Sequence, residues 1–198
     1  MATALAQSAT PPTADDPRQE LEEIYRHLCG RDPKSRVEII ADRVVVSPLP
    51  TWSHELVIFR LIKLLMAVVG ERGWSLSGNI SLFLGAQRDR YKPDLTVAPE
   101  EPPMWGDDHI HGDATVLVVE VGSRSSAADD HNVKPKGYAA AGVPLCLVID
   151  CFAGTVRLLS KPNPQTERYE LRHEVPLGKA IELPEPWNLT LDTGKLTD

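Results

Sequence analysis

One stretch constrains this chain more than any other. Leu56, Val57, Phe59, Leu61, Ile62, Leu64, Leu65, Met66, Val68 and Val69 leave almost no polar face on a helix. Thr51 or Ser53 can cap its first turn, and Gly70 and Gly73 end it. A helix of this kind over 51–71 is expected to be buried on most sides, within the fold or at a dimer contact. The apolar run 61–69 contains Lys63 and is far too short to span a bilayer, so no membrane partner is expected. A chain of 198 residues can bury roughly 70% of its unfolded surface, enough for a substantial core.

Around that helix the pattern alternates between strands and turns. Residues 1–14 are Ala, Thr, Ser and Pro with little else and read as a disordered tail; 15–198 read as a single domain. Asp15, Asp16 and Pro17 open a first helix, which Leu21, Ile24, Tyr25 and Leu28 continue and Gly30 stops. Residues 37–40 and 44–47 read as a hairpin turning at Ala41, Asp42 and Arg43. Residues 74–84 read as a strand pair broken near Gly78 and Asn79. Strands over 93–98 and 115–121 flank a polar, Pro-rich loop at 99–113. A helix over 130–141 follows, then a hairpin of 145–150 with 155–160, and short strands near 168–173 and 180–183. The fold class is α/β (α+β): a mixed sheet, with the long apolar helix on one side and the 130–141 helix on another.

Lys and Arg number 21 against 28 Asp and Glu, a formal charge of −7. That excludes a histone-like coat and leaves room for a local basic cleft, which Arg88, Arg90, Lys92, Arg124, Lys134 and Lys136 could line. Cys29, Cys146 and Cys151 lack metal-ligand spacing and make a poor disulfide framework, which points to a reduced cytoplasm. The histidines show no i, i+4 pair. Ser123, Ser125 and Ser126 lack nucleophile-elbow glycines, and there is no phosphate-binding or dinucleotide-binding glycine loop.

Four features stand together. Asp94 follows Pro93 at the start of one strand. Glu120 ends the apolar run Val116–Val119, Lys134 lies on the next helix, and Glu38 or His54 comes from upstream. Carboxylates at strand ends can hold a hard divalent cation, Mg²⁺ or Mn²⁺, through oxygen. Such a cation makes hydroxide available near neutral pH, and a lysine adds positive charge beside a scissile phosphate. Taken singly, each residue has a plainer reading: a solvated strand end, a turn dipeptide, a surface lysine. His54 sits at the third helical position after Thr51, where the helix dipole disfavours imidazolium. A neutral His54 could accept a proton, ligate a metal, or simply hydrogen-bond at a helix start.

The order and spacing resemble the PD-(D/E)XK nuclease superfamily, and more closely the Uma-two family of restriction-endonuclease-like proteins. The resemblance covers about residues 33–192. It is carried by VEIIADRVVVSPLPTWSH (37–54), YKPDLTVAPE (91–100), VLVVEVGSRSSAADDHNVKPKGYAAAGVPLCLVID (116–150) and LPEPWNLTLDTG (183–194). It implies a restriction-endonuclease-like fold and a metal-dependent endonuclease acting on nucleic acid, DNA favoured. Asp94 and Glu120 would be the metal carboxylates, with His54 beside them. Glu38 matches an acid before the first hairpin, and Lys134 would be the motif lysine displaced onto a helix. Two departures stand out. The usual lysine place, two residues after the second acid, is Gly122, and the family's Asp-Gly-Glu turn is replaced by Ala41, Asp42 and Arg43. The alternative is a catalytically silent member serving as a binding or assembly module. The apolar helix further predicts a homodimer.

Overall fold

The computed structural model describes residues 17–31, 35–78, 80–85, 88–122 and 129–197. The expected tail, the caps at Asp15 and Asp16, Asn79, Arg124 and the serines at 123, 125 and 126 lie outside the described residues. Helix α1 (Pro17–Arg31) precedes a hairpin of β1 (Arg36–Ile40) and β2 (Arg43–Ser47). Ile40 pairs with Arg43 across Ala41 and Asp42, whose φ values of 47° and 59° give the left-handed turn that matches the twist of a hairpin. Helix α2 (Trp52–Glu71) begins at Thr51, whose hydroxyl accepts the His54 N–H at 3.4 Å. It buries one stripe, Val57, Ile58, Leu61, Leu65 and Val69, and leaves Phe59 57% and Met66 48% exposed. Within this chain one face meets the core, and apolar side chains remain on the other.

Next come β3 (Trp74–Ser77), β4 (Ser81–Leu84), β5 (Asp89–Tyr91), β6 (Leu95–Pro99), β7 (Met104–Trp105), β8 (His109–His111) and β9 (Leu117–Val121). A π-helical turn (Asp129–Val133) leads into α3 (Lys134–Ala140). The chain ends with β10 (Leu145–Asp150), β11 (Thr155–Asn163), β12 (Arg168–Pro176), β13 (Ala180–Leu183) and β14 (Leu189–Asp192). β13 and β14 form their own small hairpin. The other strands form two six-stranded sheets, ordered β2-β1-β5-β4-β8-β7 and β12-β11-β10-β9-β6-β3. Two expectations change here. β3 and β4 do not pair with each other but enter different sheets, and the expected 99–113 loop contains the β7–β8 pair.

The second sheet organises the core. β9 and β10 run parallel, and the connection between them carries α3. Side chains alternate across this pair. Leu117, Val119, Val121, Leu145, Leu147 and Ile149 pack with α2, whereas Val118, Cys146 and Val148 pack with Tyr138 of α3. The two helices thus cover opposite faces, as expected. α3 can approach the first sheet because residue 137 is glycine: a Cβ there would lie 2.8 Å from ring atoms of Tyr91. Tyr91 and Tyr138 meet edge to face, with ring centroids 5.2 Å apart. The segment between β5 and β6 carries the chain from one sheet to the other, and Asp94 lies on that crossing. No helix among the described residues is long and apolar enough to cross a membrane.

Candidate active site

The site forms where the two sheets meet. β1 contributes Arg36 and Glu38, two positions apart and hence on one face. The crossing before β6 contributes Asp94, β9 contributes Glu120, α3 contributes Lys134 and Tyr138, and the first turn of α2 contributes His54. Asp94 is locked onto β9 by its backbone as well as its side chain. Its N–H donates to the Val119 carbonyl at 3.1 Å, and its Oδ2 accepts the Val121 N–H at 2.7 Å. Asp94 and Glu120 both reach the Arg36 guanidinium and so project to the same side.

Arg36 ties the acids together. Its Nη1 donates to Asp94 Oδ1, its Nη2 lies 3.4 Å from Glu120 Oε2, and its Nε donates to Glu38 Oε2 at 3.2 Å. Lys134 Nζ bridges Glu38 Oε1 at 3.2 Å and Glu120 Oε2 at 3.1 Å. The Lys92 N–H donates to Glu38 Oε1 at 2.8 Å, and the Tyr138 hydroxyl donates to Glu120 Oε1. Burial and the neighbouring Glu120 carboxylate push the Tyr138 hydroxyl well above its ordinary range, which keeps it a donor. Glu120 is fully buried, and Glu38 and Lys134 nearly so. Four of the five expected residues thus share one charge network.

His54 is the fifth, and its Nε2 lies 3.3 Å from Asp94 Oδ2. Burial opposes its imidazolium, yet the Asp94 hydrogen bond and the charges of Asp94 and Glu55 outweigh that, and its pKa is raised. The Asp94 contact thus acts against the lowering expected from the helix end. The same contact works on Asp94. Burial raises its carboxyl, but His54, Arg36 and the Val121 amide together hold it far below the ordinary carboxylate range.

Residues 21–193 match the Uma2 family, described as a putative restriction endonuclease. The chain belongs to the Uma2 family. No curated protein matches it. A solved structure described as a putative nuclease belonging to DUF820, from Anabaena variabilis ATCC 29413, shares its fold. The TM-score is 0.64 at 16% identity, over 81% of this chain and 89% of that one.

Nuclease families of this kind imply a divalent cation, and the donor chemistry of this Uma2 site fits one. Asp94, Glu120 and Glu38 bring hard oxygens from separate elements to one guanidinium. Among the described residues no group of three or more His, Cys, Asp or Glu side chains is gathered as a cation cluster, and Arg36 and Lys134 stand among these acids. Sequence reasoning missed Arg36 and Tyr138. Arg36 at the head of a strand reads as solvent charge, and the available signal was its two-residue spacing from Glu38. Of the expected basic cleft, Lys136 and Arg88 are exposed. Arg90 is buried elsewhere, held by Glu22 at 3.0 Å and lying over Phe83 and Trp105.

Proposed function

We propose that this protein is a metal-dependent endonuclease that hydrolyses phosphodiester bonds, with DNA the favoured substrate. One observation carries it: three buried carboxylates and a buried lysine, drawn from four segments, meet at one point in a chain of this family. Asp94, Glu120 and Glu38 would hold Mg²⁺ or Mn²⁺ through oxygen, with the His54 ring beside Asp94. A divalent cation bound there would lower the pKa of an attached water and offset charge building on the phosphoryl oxygens. Lys134 adds an ammonium beside the reacting phosphate. Tyr138 and the Val121 amide hold Glu120 and Asp94 in orientation, and exposed Lys136 meets the nucleic-acid backbone. The test is cleavage of supercoiled plasmid with Mg²⁺ or Mn²⁺. Asp94→Ala should lower the rate by at least about 10²-fold; wild type without cation-dependent cleavage would remove the reading.

One observation favours the rival, a silent binding module. Every carboxylate oxygen of Asp94, Glu38 and Glu120 already has a partner within the chain. That module would bind or assemble without cutting nucleic acid. The exposed Phe59 and Met66 of α2 also support a homodimer through this helix. Light scattering should return about twice the 21.8 kDa chain mass, and a monomer at high concentration would remove the dimer.

A further inference from the structure

We propose that Arg36 stands in for the divalent cation in the resting site, and that loading the cation releases its guanidinium to bind a phosphodiester. The inference rests on the nuclease reading and adds a residue and an exchange to it. Three buried acids cannot stay ionised side by side without compensating charge. Arg36 supplies it with one planar fork, engaging one oxygen on each of Asp94, Glu38 and Glu120.

The two cations of the site differ in their freedom to leave. The Lys134 side chain is 3% exposed and held from α3 between the carboxylates of Glu38 and Glu120. The Arg36 side chain is 26% exposed and extends from the first residue of β1. It can turn outward without moving the strand. Its departure relieves Asp94 Oδ1, Glu38 Oε2 and Glu120 Oε2 of the guanidinium together. The acids keep their other holds: Val121 and His54 on Asp94, the Lys92 amide and Lys134 on Glu38, Tyr138 and Lys134 on Glu120. A hard cation requires such oriented oxygens. An outward guanidinium at the mouth of the site then matches a phosphate's paired oxygens.

The experiment is calorimetric titration of the full chain with Mn²⁺, without nucleic acid, on wild type, Arg36→Gln, Arg36→Lys and Asp94→Asn. Anisotropy of a labelled duplex, with and without Ca²⁺, gives a second readout. Arg36→Gln should bind Mn²⁺ about tenfold more tightly than wild type, with Arg36→Lys between them. It should melt lower without cation and gain more from Mn²⁺. Wild type should gain about tenfold in duplex affinity with Ca²⁺, and Arg36→Gln should lose most of that gain. Equal or weaker Mn²⁺ binding in Arg36→Gln overturns the exchange. Should that variant fail to fold, Arg36→Lys decides in the same way. Wild-type Mn²⁺ binding that Asp94→Asn abolishes, without a gain in either Arg36 variant, sinks the exchange and spares the nuclease. A gain in those variants without any wild-type cleavage of plasmid does the reverse. No Mn²⁺ binding by any form sinks both.

Discussion

Arg90 and Arg36 both carry a guanidinium into the interior, from adjacent paired strands, and their surroundings diverge. Arg90 meets one acid, Glu22, at 3.0 Å, and lies against the faces of Phe83 and Trp105 at 4.6 and 4.1 Å. Tyr25 and His109 close that centre, with the Tyr25 hydroxyl 3.3 Å from His109 Nε2. Among the described residues, Arg36 meets three acids and no aromatic face. A cation with one acid and two rings is satisfied where it lies, and it fastens α1 to the first sheet. A cation among three acids balances charge that other ligands could also balance. Burial of arginine alone does not mark a site; the excess of acids does.

The largest expected effect comes from breaking the fastened centre. Arg90→Ala leaves Glu22 buried without its partner and strips the cover from two rings. It should cost about 3–5 kcal/mol, seen as a fall of roughly 10 °C in calorimetric melting. Mn²⁺ should not restore it. Rescue by Mn²⁺ would erase the distinction between the two centres.

Lys134→Ala probes the other centre. Below its melting temperature it should lower cleavage by roughly 10²–10³-fold with Mn²⁺ affinity nearly unchanged, the scale of one lost transition-state contact. Lys136→Ala, exposed on the same helix, should lose only salt-sensitive substrate binding. Equal losses from both would reduce Lys134 to part of a basic patch.

A smaller effect separates the centres by pH. Burial lowers the His109 pKa, with Arg90 adding to the shift and Asp108 and Glu22 opposing it. A neutral His109 donates from Nδ1 to Asp108 at 2.6 Å and accepts the Tyr25 hydroxyl at Nε2. Its folded pKa lies below the unfolded value of about 6.5. Its stabilising contribution is therefore complete above that value and lost as pH falls toward the folded pKa, at a slope of at most about 1.4 kcal/mol per unit. Melting from pH 8 to 5 should show a shallower acid-side decline in His109→Gln. An unchanged decline would place the response elsewhere.

The smallest effect lies in the turn that ends β1, the strand beside Arg90. Ala41, at φ 47°, holds a left-handed conformation that suits glycine. Its N–H donates to Asp89 Oδ2 at 2.9 Å, a bond that glycine would keep. Ala41→Gly should raise stability by about 0.5–1 kcal/mol in urea unfolding. A loss would mean that the alanine methyl matters more than the backbone strain.

Much of this was legible in the sequence, for local reasons. The capped apolar run gives α2, short apolar runs bounded by turn residues give β1, β2, β10 and β11, and a continuous apolar run ending in an acid gives β9. β5, β7 and β8 were not legible: Asp89–Tyr91 is short and charged, and the other two lie in a Pro-rich segment too brief for a period to show. The partition of β3 and β4 between sheets depends on partners distant in sequence. Order, spacing and the family resemblance singled out Asp94, Glu120, Glu38, Lys134 and His54, whose side chains the structure gathers in one place. Arg36 and the raised pKa of His54 were not legible, because each depends on a contact with Asp94, distant in sequence.

The alternation along β9 also limits how this chain can change in length. Leu117, Val119 and Val121 face α2, while Val118 and Glu120 face α3. Insert or delete one residue in this strand, and every side chain beyond it turns over. The carboxylate would enter the aliphatic layer beside Leu61 and Leu65, and a valine would face Lys134. Core and chemistry are thus written in a single reading frame. Homologous chains should place their insertions in the connections flanking β9 and almost none between residues 117 and 121.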